Sequence, residues 1–105
     1  MTIPALDQSR THIVGIGGIG MSGIAEIMHK RGMIVSGSDQ VAGANVVRLR
    51  EMGVPVMVGH AASNVDGVDV LVVSSAISDK NDEVIAAREQ GIPVPSRSDN
   101  FVIFV

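Results

Sequence analysis

The chain has no cysteine, no tryptophan and no tyrosine, and its two phenylalanines, Phe101 and Phe104, fall among the last five residues. Without cysteine, disulfides are excluded, and thiolate metal sites with them. Without aromatic bulk the core must be built from Ile, Val, Leu, Met and Ala, which suits a parallel sheet covered on both faces. Charge is also sparse. Only 18% of residues are charged, the net charge is −3, and Lys and Arg are scattered rather than clustered. The chain therefore lacks the electrostatic footprint of a nucleic-acid-binding surface. Its most apolar stretch, Val68 to Val73, is interrupted by Asp69, far short of the roughly 20 apolar residues of a membrane-spanning helix. Met1 to Arg10 include Asp7 and Arg10 and lack the apolar centre of a signal peptide. The expectation is a cytoplasmic protein with neither membrane nor nucleic acid as partner. No grouping of His, Asp and Glu has metal-ligand spacing, and no residue reads as catalytic.

What is present is one domain's worth of chain, 105 residues that are 46% hydrophobic, enough for a packed core. Thr11 to Ile16 is an apolar run ending in glycines and reads as a first strand. Met21, Ile24, Ala25 and Met28 then recur at i, i+3, i+4 and i+7, the stripe of an amphipathic helix. Lys30 and Arg31 suit its last turn, and Gly32 suits its stop. Met33 to Val35 begins a second strand that ends at Ser36-Gly37-Ser38-Asp39. A second helix is predicted from Ala44 to Met52, with Val46, Leu49 and Met52 inward and Gly53 beyond its end. Val54 to Val58 reads as a third strand, at an edge because Pro55 has no amide to donate. A polar loop, Gly59 to Gly67, leads to a fourth strand, Val68 to Val73. A helix from Asn81 to Gln90 and a brief fifth strand, Ile92 to Val94, complete the pattern. Strands alternating with helices predict an α/β fold: a Rossmann-like, doubly wound sheet of about five parallel strands with helices on both faces.

Gly15-Ile16-Gly17-Gly18-Ile19-Gly20 fits G-x-G-x-x-G, placed between the first strand and the first helix. Gly15 permits the tight turn, Gly17 lets backbone approach a pyrophosphate, and Gly20 lets helix and strand pack. The amides of Gly18, Ile19, Gly20 and Met21 are expected to face an anionic ligand from the positive end of the helix dipole. Asp39 lies 19 residues after Gly20, where an acid in such folds meets a ribose, although a turn cap is the plainer alternative. Ser74, Ser75 and Ala76 follow the fourth strand. If strand order reverses beside the first strand, they face the glycine loop across a crevice; otherwise they are an ordinary loop before a helix. His60 is a lone loop imidazole, and His12 and His29 read as structural or solvated. Asp79, Lys80, Asp82 and Glu83 read as the polar start of the last helix. On these features alone the nucleotide could equally be NAD(P), held by an oxidoreductase domain or an NAD-sensing regulator.

Taken together, His12 to Glu26, with its Gly-Ile-Gly-Gly-Ile-Gly-Met phrase, Ser36-Gly37-Ser38-Asp39, and Val72-Val73-Ser74-Ser75-Ala76-Ile77 resemble the Mur ligases over residues 10 to 98. The resemblance implies a cytoplasmic three-domain enzyme of peptidoglycan synthesis that joins L-alanine to UDP-N-acetylmuramate through an acyl phosphate. Residues 1–98 would be its UDP-sugar-binding first domain. ATP and magnesium would belong to the central domain, with no cofactor in this segment and no ligation by it alone. Carried over by position, Gly15, Gly17, Gly18, Ile19, Gly20 and Met21 would hold the diphosphate. Ser38 and Asp39 would meet the uridine, Ser74, Ser75 and Ala76 would line the phosphate or sugar side, and His60 would sit close by. Two departures stand against the family pattern. No Gly-Lys-Thr phosphate loop occurs in the chain, so the central and C-terminal domains are expected to be absent from it. Residues 99–105, with the apolar run Phe101 to Val105, form an atypical tail with the potential to self-associate.

Overall fold

In the computed structural model, residues 9–95 are described, and β1 (Arg10–Val14), β2 (Ile34–Asp39), β3 (Val56–Val58) and β4 (Val70–Val73) form one parallel sheet in the order β3-β2-β1-β4. Helix α1 (Met21–Lys30) joins β1 to β2, α2 (Ala44–Met52) joins β2 to β3, and α3 (Asp82–Glu89) follows β4. Strand order reverses beside β1, as the alternation of strands and helices requires for a doubly wound sheet. β3 lies at the edge and begins directly after Pro55, whose carbonyl accepts the Gly37 amide at 3.0 Å while its nitrogen returns nothing.

The central strand β1 and its neighbour β4 are buried on both faces, while the edge strand β3 leaves Met57 and Val58 exposed, and the side chains sort by alternation. On one face Ile13, Val35, Val70 and Val72 pack against Met21, Ala25 and Met28 of α1 and Val46 and Leu49 of α2. On the other, Val14 and Leu71 pack against Val84, Ala86 and Ala87 of α3 and against Val65. Fully burying a side chain of the size of Leu49 or Met28 contributes about 1.5–3 kcal/mol. The stripe expected in α1 is the face it buries. α2 has the predicted bounds and ends at Gly53, whose φ of 102° lies in the left-handed region that closes a helix at little cost for glycine. The approach of β2 to the first turn is tighter still. A Cβ on Gly37 would lie 2.7 Å from Ile16 Cβ and 2.8 Å from the Ile13 carbonyl oxygen.

Two features depart from the sequence pattern. The loop predicted over Gly59 to Gly67 contains a 3-10 turn, Ala62–Val65, that buries Val65 completely. The fifth strand does not form. Pro93 accepts the Leu71 amide at 2.9 Å but has no N–H with which to extend a ladder. The atypical tail of residues 99–105 lies outside the described residues. Among the described residues no helix is long and apolar enough to cross a membrane, and no group of three or more His, Asp or Glu could hold a metal ion.

Candidate nucleotide-binding crevice

Four loops leave the carboxyl ends of the four strands and meet over the reversal point. The first is the glycine loop. Gly15, at φ 80°, turns the chain so that its own amide and that of Ile16 both donate to the Ser38 carbonyl, at 2.9 and 3.1 Å. The Gly18 amide closes back onto the Gly15 carbonyl at 3.1 Å. Gly17 donates to Asp39 Oδ2 at 2.9 Å, and its carbonyl accepts from Asn45 Nδ2 at 3.0 Å. A Cβ on Gly17 would come within 2.9 Å of Asp39 Oδ2 and 3.0 Å of Val46 Cγ2. The loop is thus fixed from β2 and α2. Its remaining amides, those of Ile19, Gly20 and Met21, find no acceptor among the described residues. They open α1, where the helix dipole favours an anion.

A crevice of about 250 Å³ lies beside this loop, lined by Gly15, Gly18, Asp39, Gln40, His60, Ser74, Ala76 and Ile77. A smaller recess of about 150 Å³ lies on the other side of Asp39, between Gly17 and the start of α2. The Ser74 loop does face the glycine loop: a Cβ on Gly15 would be 3.3 Å from Ser74 Cβ and from Ile77 Cδ1. Ser74 Oγ accepts the Ala76 amide at 3.3 Å, and Ser75 is exposed at the rim. Ile19 is 98% exposed at the tip of the glycine loop, whereas the Met21 side chain is buried in the core and offers only its amide.

Ser38 lies near the end of β2, behind the crevice. Its side chain is fully buried, and its hydroxyl donates to Glu83 Oε1 at 2.9 Å. Asp82 and Glu83 do open α3 as its polar start, but the Glu83 side chain turns inward. It is completely buried and collects His12 Nε2 at 2.6 Å and Ser38 on one oxygen, and His60 Nδ1, Asn64 Nδ2 and the Ala61 amide on the other. Burial raises the carboxyl pKa. The hydrogen bonds from His12 and Ser38, the His12 charge and the Asn64 amide outweigh it and hold the group down at about 2. Of the two readings open for His12, structural or solvated, the structure shows the first, and its Nδ1 meets Ser36 Oγ at 2.9 Å. Sequence reasoning missed Gln40 and Ile77 in the lining and Glu83 behind it. The available signal was His12, an imidazole inside an apolar central strand, which needs a buried partner.

The crevice can therefore present backbone donors to a diphosphate, a carboxylate and an imidazole to a nucleoside, and hydroxyls to a sugar. Comparison with known proteins agrees with the motif reading. The model for the Mur ligase family, catalytic domain, matches residues 10–102. The UDP-N-acetylmuramate–L-alanine ligase of Nitrobacter winogradskyi is 64% identical over 88 residues, 84% of this chain and 19% of that protein. The ligase of the same name from Brucella anthropi is 54% identical over 94 residues, 90% of this chain and 20% of that one. The chain thus spans about one fifth of the length of the curated relatives it matches. Among solved structures, the UDP-N-acetylmuramate-alanine ligase of Thermotoga maritima superposes with a TM-score of 0.84 at 35% identity, covering 90% of this chain and 22% of that one. A shikimate dehydrogenase from Aquifex aeolicus, at 18% identity and a TM-score of 0.54, shares the fold alone. With the glycine loop, the Ser-Gly-Ser-Asp strand end and the Ser-Ser-Ala-Ile loop converging on one crevice, the chain belongs to the Mur ligase family.

Proposed function

We propose that this chain is the UDP-N-acetylmuramate-binding N-terminal domain of a cytoplasmic ligase that adds L-alanine to that sugar nucleotide in peptidoglycan synthesis. The observation that carries the reading is the trio of unpartnered amides, Ile19, Gly20 and Met21, at the positive end of α1 beside a crevice of about 250 Å³. The diphosphate would bind there, with Gly15, Gly17 and Gly18 giving it close access. Asp39 and His60 stand on the nucleoside side, and Ser74, Ser75 and Ala76 on the sugar side. Residues 1–98 make up this binding unit, and 99–105 its tail.

The donor set fits a sugar nucleotide better than ATP with magnesium. No lysine follows the glycine loop, and no carboxylate cluster for a divalent ion occurs among the described residues. ATP and magnesium would thus act in a central domain of the full-length enzyme, and no step of the ligation is placed on this chain. Its part is to hold and orient the uridine end while partner domains act on the muramate carboxylate.

An amide NMR titration with UDP-N-acetylmuramate, UDP and NAD in parallel tests the reading. Shifts at Gly17 to Gly20, Asp39 and Ser74 to Ala76 with both uridine ligands, and not with NAD, are expected. Shifts with NAD alone would replace the reading with a dinucleotide-binding one.

A further inference from the structure

We infer that Glu83 is a positioning residue for the crevice: it holds His60 as the Nδ1–H tautomer, and so presents a bare Nε2 as acceptor for a donor group of the bound nucleotide. The inference rests on the crevice being the nucleotide site. It follows from counting protons. The Ser38 hydroxyl has one, and it goes to Glu83 Oε1 at 2.9 Å. The same oxygen lies 3.0 Å from His60 Nδ1, so towards the ring it accepts. The other neighbour of Nδ1 is Glu83 Oε2 at 2.9 Å, also an acceptor. With two acceptors against it, Nδ1 carries the hydrogen.

In the neutral ring Nε2 is then left with its lone pair. It is buried, with no hydrogen-bond partner among the described residues, and belongs to a side chain that lines the crevice. Nδ1 is turned towards Ser38 and Glu83, so Nε2 is directed to the other side of the ring. Such an orphaned acceptor in a ligand-lining side chain calls for a donor. Phosphate oxygens have none to give, and the loop amides already suit them. The matching group is a sugar hydroxyl or the imide N–H of a pyrimidine. Glu83 touches no ligand in this scheme. It acts from α3 through Ser38 and His60, with Asn64 and the Ala61 amide bracing its second oxygen at 3.2 and 3.3 Å.

Ring-nitrogen NMR of the whole ¹⁵N-labelled chain tests this directly. In the free protein His60 should show a protonated Nδ1 and an unprotonated Nε2, and saturation with UDP should move the Nε2 resonance towards its hydrogen-bonded position. One of 3-methyl-UDP, without the imide hydrogen, 2′-deoxy-UDP and 3′-deoxy-UDP should bind about tenfold more weakly and fail to produce that shift. Glu83→Gln should mix the two tautomers and weaken UDP about tenfold. The tautomer is read on the unsubstituted chain, so the outcome does not hang on that variant folding. A free-state Nε2–H overturns the inference. So does an Nε2 that UDP leaves unmoved while the Gly17 to Gly20 amides shift, and so do three analogues that all behave like UDP; in these cases the nucleotide site itself still stands. If UDP moves none of those amides, the site reading fails and takes the ligand half of the inference with it.

Discussion

The Gly17 amide donates to Asp39 Oδ2 at 2.9 Å across 22 residues of chain, which makes the glycine loop and the end of β2 one unit. A hydrogen bond to a charged acceptor contributes about 1.5–3 kcal/mol. Asp39→Ala should lower stability by about 1–2 kcal/mol and weaken UDP at least tenfold. Asp39→Asn, which keeps an acceptor, should lose less of both. Urea unfolding and UDP titration of the two variants measure this, and equal losses would mean that the latch does not order the loop.

The buried carboxylate of Glu83 sets an acid limit. Its folded pKa of about 2 lies below the ordinary 4.5, so the stability it contributes is complete above pH 4.5 and drains away as pH falls towards 2. At 1.36 kcal/mol per unit this amounts to about 3 kcal/mol. Urea midpoints between pH 7 and pH 2.5 should fall steeply in the acid range for the native chain and much less for Glu83→Gln. Parallel curves would show that other carboxylates dominate.

Two glycines should respond to alanine in opposite directions. Gly37→Ala places a methyl 2.8 Å from the Ile13 carbonyl and against the Ile16 side chain, an overpacking that costs about 3 kcal/mol. A melting point lower by 10 °C or more is expected, at roughly 4 °C per kcal/mol. Gly23 sits exposed inside α1 with nothing within 4 Å of a would-be Cβ. Gly23→Ala should raise stability by about 0.5–1 kcal/mol. Thermal melts of both, side by side, decide the matter.

Thr11 is 1% exposed on β1, and its Oγ1 has no partner among the described residues. Valine has the same branched shape without the stranded hydroxyl. Thr11→Val should stabilise the fold by about 1 kcal/mol. A loss of that size in denaturant midpoint would imply that the hydroxyl is satisfied in solution.

Legibility in the sequence followed the range of the interactions. Local signals were read well: the α1 stripe, the bounds of α2, and the edge position of β3 from Pro55. The strand reversal that sets the Ser74 loop against the glycine loop stays open between two readings on the sequence alone. Pattern reading failed where a residue's fate depended on partners far along the chain. Glu83 meets His12 across 71 residues, and an acid in the first turn of a helix carries no local sign of being buried there. The Ser38 hydroxyl was illegible for the same reason, since its partner Glu83 lies on α3, 45 residues away. The 3-10 turn escaped because one buried Val65 in a polar loop makes no period. The fifth strand was overread because Ile92 and Val94 have strand propensity while Pro93 lacks the donor a ladder needs.

The sheet order β3-β2-β1-β4 has a bearing on how such a domain can change over time. Each of the four strands ends on the same rim, and each donates one short loop to the crevice, so its lining is confined to four brief stretches between Gly15 and Ile77. Most of the residues that pack the two cores stand apart from those stretches. Substitutions there can redirect what is bound while the framework keeps its stability. A lineage could exchange one nucleotide for another by drift in a handful of rim positions, with Glu83 and Ser38 behind the rim as positions where structure and preference would be inherited together.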